Sequence, residues 1–463
     1  MDKNGSADGF VSPFRSISHI GDPSALYDAA TGKYYIYCTG GRFRCWSSQD
    51  LVTFTEHGDA YGTTEKSFGT QNYWAPEVYK RGDTFYMVYS AARFLPDGKK
   101  RHSIGIAASG SPTGPFVDLY DHPLHAPDFS VIDASLLFDD DGKIYLYYSR
   151  DCSENIVDGK RTSQVYGALV LPDLSGICGE PVLLATPVSA WELKSENVVW
   201  NEGPCVLKQD GRYVMLFTAN YYASVDYCVG YATSDSPLGT YEKATENPIL
   251  CGDGVYTSGT GHCNYFRSPD GSELYMVYHS HSDVTNTQNP VADRTPCFDK
   301  MTFRRDGRLT VNGPSVARQP YPSGTRGLYK LTSGELSLSS SYPSLDSLRT
   351  LTDGVIDFRG EDGDAYRFDC AAGGKITVTF DRPRMLQSIW IYGAADAART
   401  PESVCADLGG KRQTADFPRD LPLSPAVLRF DCAPCGALTL TFTPQKDAAE
   451  AAISEIVFVE KRV

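Results

Sequence analysis

The stretch GKYYIYCT, residues 32–39, sets the pattern for most of the chain. A glycine in a polar turn is followed by a run of aromatic and β-branched residues, which is typical of the second strand of a β-hairpin. The apolar run SALYD at 24–28 precedes the turn and supplies the first strand. The same arrangement recurs four times further along, as GDTFYMVYS (82–90), GKIYLYYS (142–149), GRYVMLFT (211–218) and GSELYMVYHS (271–280).

The spacing of these runs indicates a repeated unit of the size of a propeller blade. The glycines that begin them are separated by 50, 60, 69 and 60 residues. Between them lies a second repeat, in which a small-residue strand leads to a Ser/Asp/Pro turn and an aromatic residue, as in AASGSPTGPF (107–116). Each unit therefore supplies about four short strands, the content of one blade. Because helical periodicity is nearly absent, and residues 294–318 are typical of a closing strand pair, we predict a five-bladed β-propeller over residues 1–320.

The remainder of the chain differs in composition. Residues 321–345 are rich in Pro, Ser, Gly and Leu, which favours a linker. Residues 346–463 contain shorter strand-like runs, such as KITVTF and ALTLTFTP, which suit a β-sandwich of the jelly-roll type. The predicted fold class is therefore all-β, with a five-bladed β-propeller followed by a β-sandwich.

The composition excludes some classes of partner. With 57 acidic and 43 basic residues the formal net charge is −14, and nucleic-acid phosphates would be repelled by it. No apolar run is long enough to span a bilayer, so neither nucleic acid nor a membrane is expected as a partner. The start, MDKNGSADGF, lacks the apolar core of a secretory signal. Several of the 13 cysteines lie in strand-like runs, which favours buried thiols and a cytoplasmic location, with secretion as the alternative; these are Cys38, Cys205, Cys228 and Cys370.

Acidic residues recur in the first strand of the repeat, ahead of the hairpin glycine. In a propeller the innermost strand of each blade lines the central channel, so such residues would converge at one end of it. A carboxyl group in an otherwise apolar strand is costly to bury without a partner or a role. We therefore expect one repeated position to carry the functional groups. The residues found there are Asp22, Glu77, Asp133 and Glu202, with His262 in the fifth unit.

The segments around these residues together resemble glycoside hydrolase family 43. The resemblance covers about residues 14–318 and rests on an ordered set of motifs: GDPS (21–24), WAPEV (74–78), IDAS (132–135), NEGP (201–204) and GTGH (259–262). Members of this family are five-bladed propellers that act as α-L-arabinofuranosidases, β-xylosidases and related enzymes. The partner that the resemblance implies is an oligosaccharide or polysaccharide, bound as substrate.

The resemblance also implies three catalytic residues. Asp22 resembles the general base, Glu202 the general acid, and Asp133 the residue that orients the acid and tunes its pKa. Inverting hydrolysis needs one carboxyl group to protonate the leaving oxygen and another to activate water. Burial and the charge of Asp133 would keep Glu202 protonated, whereas Asp22 has to stay ionised to accept a proton. No cofactor is required for this chemistry.

Four further residues have two interpretations each. Trp74 is either a sugar-stacking platform or a core aromatic residue. Arg294 resembles a family arginine near the substrate subsite, with a surface ion pair as the alternative. His262 resembles the channel histidine that helps to hold a structural calcium ion, usually through water, and is otherwise a buried histidine with satisfied hydrogen bonds. Glu77 matches no catalytic residue of the family and is expected at the rim or in a structural role.

The predicted function is that of an exo-acting, inverting glycoside hydrolase that removes terminal α-L-arabinofuranosyl or β-D-xylosyl residues from plant polysaccharides or oligosaccharides. One alternative is a galactose-type or fructan-type glycosidase on the same fold, although the Asn-Asp-Pro-Asn and Arg-Asp-Pro segments of the fructan enzymes are missing. Another alternative is a catalytically silent, glycan-binding propeller, which would more often have lost one of the three carboxylates.

The C-terminal part resembles, less specifically, the discoidin-like β-sandwich that includes many carbohydrate-binding modules. This resemblance rests on LTDGVIDF (351–358) and the closing ISEIVFVE (453–460). No tryptophan follows soon after LTDG. A domain that packs against the propeller is therefore the alternative to a domain that binds sugar.

Overall fold

The computed structural model describes residues 8–96, 98–284, 293–361, 363–446, 448 and 450–462. Within these ranges the chain forms strands β1 to β32 and two short 3-10 helices, Thr325–Gly327 and Leu348–Thr352. The prediction of an all-β chain is thereby confirmed.

The first strand of the described residues is β1 (Gly9–Val11), and five blades follow in chain order, each with its innermost strand first. The first blade comprises β2 (Gly21–Asp28), β3 (Lys33–Thr39), β4 (Arg44–Ser48) and β5 (Thr55–Asp59). The second comprises β6 (Gln71–Arg81), β7 (Thr84–Phe94), β8 (Lys100–Ser109) and β9 (Val117–Asp118). The third comprises β10 (Val131–Phe138), β11 (Ile144–Arg150), β12 (Ile156–Val157), β13 (Lys160–Val170) and β14 (Ile177–Ala185).

The last two blades follow the same plan. The fourth comprises β15 (Val198–Gln209), β16 (Arg212–Ala219), β17 (Cys228–Ser234) and β18 (Glu242–Lys243). The fifth comprises β19 (Gly261–Arg267), β20 (Leu274–His281), β21 (Arg294–Phe303) and β22 (Leu309–Val311). A short parallel pairing of β13 with β15 joins the third and fourth blades into one nine-stranded sheet. The strand pair expected at 294–318 is present as β21 and β22, which complete the fifth blade.

Apolar side chains fill the spaces between neighbouring blades. Tyr37 and Met87 belong to one buried cluster between the first and second blades, and Ile36 packs in another with Val277 and Phe298 of the fifth blade. Among the described strands none is shared by the first and last blades. The ring is closed by side-chain packing together with a single antiparallel bridge between Ile20 and Arg294. Beside it, β1 pairs with β23 (Arg318–Pro320).

The innermost strand of every blade is interrupted at the same point by a β-bulge. The bulge residue has a φ between 48° and 57°, in the left-handed region that residues other than glycine rarely adopt. A bulge of this kind bends the strand and re-aims its side chains. The five bulge residues are Asp22, Ala75, Asp133, Gly203 and His262.

The backbone N–H of each bulge residue donates a hydrogen bond to the second strand of the preceding blade. In four blades the acceptor is a hydroxyl: Ala75 to Thr39 Oγ1 (2.8 Å), Asp133 to Ser90 Oγ (2.9 Å), Gly203 to Ser149 Oγ (3.2 Å) and His262 to Thr218 Oγ1 (3.1 Å). In the first blade the acceptor is Nδ1 of His279, 3.3 Å from the nitrogen of Asp22. These bonds hold each bulge against its neighbouring blade, so they also set the positions of the channel residues relative to one another.

The C-terminal residues form a β-sandwich around one long strand. Its strands are β24 (Leu328–Lys330), β25 (Leu336–Ser340), β26 (Tyr366–Asp369), β27 (Ile376–Gly393), β28 (Ser403–Leu408), β29 (Lys411–Asp416), β30 (Ala426–Arg429), β31 (Pro434–Thr443) and β32 (Glu450–Lys461). The first half of β27 pairs with β25 and β31, and the second half pairs with β30 and β32. Side chains such as Val378, Leu440 and Ile453 form the core between the two layers. Residues 321–345, expected to be a linker, instead contribute β24 and β25 to the sandwich.

Polar contacts fasten the sandwich to the fifth blade. The Nζ atom of Lys330 in β24 lies 3.0 Å from Oε1 of Glu273 in the fifth blade. The Thr302 hydroxyl donates a hydrogen bond to the carbonyl of Gly354 at 2.9 Å. Gly354 belongs to the LTDG segment, so the segment that resembles carbohydrate-binding modules contacts the propeller in this chain.

The cysteines differ from expectation at one position. Cys228 and Cys251 form a disulfide bond, which joins β17 to the segment before the fifth blade. The interpretation of Cys228 as a free thiol is therefore wrong. Cys38, Cys205 and Cys370 are free and buried, as expected. Among the described residues, no helix is long and apolar enough to cross a membrane.

Candidate active site

Asp22 lies in the channel with 15% of its side chain exposed. Its Oδ1 accepts a hydrogen bond from Nη1 of Arg294 at 2.8 Å, and its Oδ2 accepts one from the Thr39 hydroxyl at 2.7 Å. The Nδ1 atoms of His262 and His279 lie 3.6 and 3.7 Å from Oδ1. Burial acts to raise the pKa of Asp22, but the Arg294 guanidinium and these neighbours outweigh it and hold that pKa well below its ordinary value. Asp22 is therefore ionised at neutral pH and can accept a proton.

Glu202 differs from Asp22 in its protonation. Its side chain is buried in β15, and burial and then the charge of Asp133 raise its pKa well above the ordinary value. The hydroxyl of Tyr227 donates a hydrogen bond to Oε1 of Glu202 at 3.0 Å and acts in the other direction, because it favours the ionised form. The net result is a carboxyl group that keeps its proton at neutral pH and can donate it.

Asp133 is close enough to both carboxyl groups to interact with their charges. Burial raises the pKa of Asp133 to about 6, with a further contribution from Asp22 in the same direction and an opposing one from His262. Above that pH Asp133 is ionised. It then supplies the negative charge that helps to keep Glu202 protonated.

The three carboxylates reach this cluster from two different positions of the repeat. Asp22 and Asp133 are bulge residues, as is His262. Glu202 stands one residue earlier, before the bulge residue Gly203. The prediction that one repeated position carries all three carboxylates is therefore wrong. A bulge breaks the strict alternation of side chains along a strand, which allows adjacent positions to reach the same cluster.

Arg294 is buried beside Asp22, with 9% of its side chain exposed. A Cβ atom at Gly21 would lie 2.1 Å from the Arg294 guanidinium, so the glycine is what leaves room for it. The guanidinium carbon also lies 5.0 Å from the centre of the Tyr222 ring, in a cation–π contact. The alternative of a surface ion pair is therefore wrong, and contact between Arg294 and substrate stays a prediction.

Trp74 holds the same place in the second blade that Glu202 holds in the fourth. It pairs across its hairpin with Ser90, as Glu202 pairs with Thr218. The half-buried indole stacks on His102, with ring centroids 4.2 Å apart. Burial lowers the pKa of His102 to about 4, so this imidazole is neutral. One face of the Trp74 indole is thus covered, and its use as a sugar platform stays a prediction.

His262 lies in the cluster, but the side chains around it do not by themselves supply a calcium site. Calcium takes roughly six to eight oxygen ligands. The His262 ring lies 3.6 Å from one oxygen of Asp22 and stacks on the imidazole of His279 at 6.4 Å between centroids. Among the residues that the structure describes, no group of three or more His, Cys, Asp or Glu side chains is arranged to hold a metal ion. Calcium held through water stays a prediction, and no catalytic step is derived through it.

Glu77 is buried within the propeller, which excludes the rim position and leaves the structural role of the two expected alternatives. It stands two residues after the bulge residue Ala75 and receives hydrogen bonds from the Tyr79 hydroxyl and the Asn264 side chain. Burial raises the pKa of Glu77 to about 8. At neutral pH it is therefore a protonated, hydrogen-bonded group outside the acid–base pair.

Two residues that the sequence did not identify belong to the cluster. His279 is fully buried and receives the backbone N–H of Asp22. It occupies the position that carries a hydroxyl residue in the other four blades, so the break in that pattern within GSELYMVYHS could have revealed it. Tyr227 belongs to no repeated motif, and only the fold brings its hydroxyl to Glu202.

A propeller whose channel holds one ionised and one protonated carboxyl group has the make-up of an enzyme that hydrolyses glycosidic bonds. The family described as Glycosyl hydrolases family 43 matches residues 14–309. The chain therefore belongs to family 43 and is a glycoside hydrolase.

Individual relatives agree with this classification. A β-D-galactofuranosidase from Aspergillus niger is 30% identical over 310 residues, which are 62% of this chain and 81% of that protein. An α-L-arabinofuranosidase B from Pyricularia oryzae is 23% identical over 316 residues, which are 65% of this chain and 63% of that protein. The crystal structure of a thermostable family-43 glycoside hydrolase is 41% identical, covers 68% of this chain and 99% of that chain, and superimposes with a TM-score of 0.63. The predicted propeller fold is thereby confirmed.

Proposed function

We propose that the chain is an exo-acting, inverting glycoside hydrolase that removes terminal α-L-arabinofuranosyl or β-D-xylosyl residues from plant oligosaccharides or polysaccharides. The observation that carries this proposal is the opposite protonation of two carboxyl groups in one cluster, one partly exposed and one buried. The Arg294 guanidinium, with a contribution from the Thr39 hydroxyl, holds the pKa of Asp22 low, whereas burial and Asp133 hold the pKa of Glu202 high. Acid–base hydrolysis needs both states at the same pH. The name of the Pyricularia relative agrees with a pentose substrate.

Each carboxyl group then has one task. Asp22 accepts a proton from a water molecule as that water forms its bond to the anomeric carbon. Glu202 gives its proton to the glycosidic oxygen as the bond between this oxygen and the anomeric carbon breaks. Arg294 and the Thr39 hydroxyl hold the Asp22 carboxylate in place. Proton exchange with solvent returns Asp22 and Glu202 to their starting states.

A β-D-galactofuranoside is the second candidate substrate. The Aspergillus niger relative, at 30% identity, carries that activity in its name. Arabinofuranose and galactofuranose are both five-membered rings, so the same pair of carboxyl groups serves either, and the longer exocyclic chain of galactofuranose needs more room. Nothing in the described structure favours the fructan-type or catalytically silent alternatives, since Asp22, Asp133 and Glu202 are all in place.

A panel of 4-nitrophenyl glycosides tests this proposal. It contains the α-L-arabinofuranoside, the β-D-xylopyranoside and the β-D-galactofuranoside, with the Asp22→Asn variant purified in parallel as the control for contaminating glycosidases, because loss of the base slows hydrolysis whatever the leaving group. We expect hydrolysis of at least one. Proton NMR during the first minutes of the reaction is expected to show the inverted anomer of the sugar. A retained anomer would rule out the inverting mechanism, and no hydrolysis of the panel or of natural arabino- and xylo-oligosaccharides would rule out the function.

Two substitutions near Glu202 are expected to move the alkaline limb of the pH–activity profile in opposite directions. Activity requires protonated Glu202, so it is lost as the pH rises through the pKa of this group. Tyr227→Phe removes a hydrogen bond to the ionised form and should raise that pKa, which moves the limb to higher pH. Asp133→Asn removes a negative charge and should lower the pKa, which moves the limb to lower pH. The measurement is kcat/KM as a function of pH.

Tyr79→Phe is the matched control for these two variants. It also removes a tyrosine hydroxyl from a buried glutamate, but that glutamate is Glu77, outside the acid–base pair. The pH profile of Tyr79→Phe should coincide with that of the wild-type protein. If the alkaline limb moved in the same direction in Tyr227→Phe as in Asp133→Asn, the result would contradict the role given to Glu202.

For the C-terminal sandwich we propose a discoidin-like domain that serves to support the propeller. The contacts of Lys330 with Glu273 and of Thr302 with Gly354 support this role. Equal binding of the whole protein to insoluble xylan and arabinan, with and without competing substrate in the active site, would instead indicate a separate glycan-binding site in the sandwich.

A further inference from the structure

Three adjoining aromatic residues lie beside the candidate active site on the fourth blade. The rings of Trp200 and Tyr221 have centroids 5.5 Å apart and planes inclined by 34°. The rings of Tyr221 and Tyr222 have centroids 4.8 Å apart. Tyr221 is 42% exposed, and Trp200 and Tyr222 are half-buried. Single exposed apolar residues need no explanation, whereas a contiguous patch marks a surface that binds something. We call these three residues the aromatic platform.

The platform is connected to both members of the acid–base pair. The Arg294 guanidinium, which binds Asp22, lies 5.0 Å from the centre of the Tyr222 ring. Trp200 stands two residues before Glu202 in β15, and residues two apart on a strand share a face. The platform therefore begins on the strand that carries the general acid and extends to the arginine that binds the base.

The loop that carries the two tyrosines is held in place by partly buried hydrogen bonds. Nε2 of His281 donates to the carbonyl of Tyr222 at 3.0 Å. Nδ2 of Asn220 donates to the carbonyls of Trp191 and Asp226, each at 2.8 Å. A surface that is ordered before binding loses less conformational entropy when a ligand arrives. The platform thus has the rigidity that a binding site needs.

We propose that the aromatic platform binds the sugar unit on the leaving-group side of the scissile bond. The proposal rests on the proposed function, because it takes Glu202 as the general acid. The acid stands next to the glycosidic oxygen, so the ring attached through that oxygen lies outward of Glu202, where Trp200 begins the platform. The C–H faces of a sugar ring pack against aromatic rings while its hydroxyls stay in water. The ligand is therefore a neutral glycan of at least two units, which the platform favours over simple glycosides.

Substrates of different length test the platform. The Tyr221→Ala and Trp200→Ala variants are compared with the wild-type protein on arabinotriose and xylotriose, and on methyl α-L-arabinofuranoside and methyl β-D-xyloside. Methyl glycosides are used because an aryl group would itself stack on the platform. We expect kcat/KM to fall by about three- to tenfold for the trisaccharide that is cleaved, mainly through KM. For the methyl glycoside the change should stay within about twofold.

Tyr329→Ala is the matched control. Tyr329 is a half-buried tyrosine in β24, with the Arg462 guanidinium 4.5 Å from its ring centre, as Arg294 is placed against Tyr222. It lies in the sandwich, so its loss should leave the ratio of the two kcat/KM values unchanged. An equal fall on both substrates, or no fall on either, in Tyr221→Ala and Trp200→Ala would overturn the proposal.

Binding separates a failure of the platform from a failure of the proposed function. If the wild-type protein cleaves neither these four compounds nor the 4-nitrophenyl panel, the proposed function fails. Titration of its tryptophan fluorescence with each trisaccharide then decides the platform. If a trisaccharide changes the fluorescence of the wild-type protein and binds more weakly to the Tyr221→Ala variant, the result supports the platform. No binding of either trisaccharide, or binding that Tyr221→Ala does not weaken, overturns it.

Discussion

Asp22→Asn is expected to lower kcat by about 10²- to 10⁴-fold. The amide has nearly the shape of the carboxylate, but it cannot accept a proton from the attacking water. In the native protein Arg294 and Thr39 hold the Asp22 carboxylate in its ionised form. At neutral pH this group can therefore accept a proton in nearly every molecule. KM should change little, because the loss falls on the transition state. Steady-state kinetics on the best substrate of the glycoside panel measure both parameters.

Glu77→Gln is the matched control for this experiment. Glu77 is also a buried carboxyl group on an innermost strand, and its pKa of about 8 leaves it protonated at neutral pH. Glutamine therefore replaces a neutral group of the same size, and activity should stay near that of the wild type. Asp22→Asn leaves Arg294 without its counter-ion, so melting temperatures of both variants are needed to show that they are folded. A folded Asp22→Asn protein with more than about a tenth of wild-type kcat would contradict the role of base.

Glu202→Gln is expected to show a loss that depends on the leaving group. On a methyl glycoside or an oligosaccharide, kcat/KM should fall by about 10²- to 10⁴-fold, because the departing alkoxide is no longer protonated. On a 2,4-dinitrophenyl glycoside the fall should be less than about tenfold, because the departing phenolate needs no proton. The alkaline limb of the pH profile should also vanish, since the group whose raised pKa sets it is gone.

A structural role for Glu202 would give a different pattern. Damage to the fold would lower the rates on both kinds of substrate by the same factor. Equal losses on the methyl and 2,4-dinitrophenyl glycosides, in a variant with an unchanged melting temperature, would therefore remove Glu202 as the general acid. Asp22→Asn provides the contrast, because loss of the base should slow both substrates alike.

The sequence predicted the propeller because each blade is built from neighbours in the chain. The hairpin glycines, the aromatic strand runs and the order of GDPS, WAPEV, IDAS, NEGP and GTGH are local features, and the structure has five blades in that order. Residues 321–345 were predicted to be a linker because Pro, Ser and Gly dominate them. Their two short strands form only by pairing with β27 and β32, more than a hundred residues further on in the case of β32.

The expectation about the carboxylates was correct in part. Periodicity locates the innermost strands, but it cannot show that Glu202 stands one residue before the bulge that Asp22 and Asp133 occupy. Each bulge donates a hydrogen bond to the preceding blade, as Gly203 does to Ser149. The spacing of residues within a single motif does not predict that contact.

Sequence alone determined the repeat, the blade count and the acidic residues that enter the channel, because a β-hairpin is stabilised by contacts between residues that are close in the chain. The tertiary structure decided the ionisation of those residues. Asp22 is ionised because Arg294, 272 residues away, lies against it. Glu202 is protonated because burial and Asp133 of the neighbouring blade act on it together. Charges interact over a few ångströms of space, whatever their separation along the chain, so only the closed ring could make one carboxyl group a base and the other an acid.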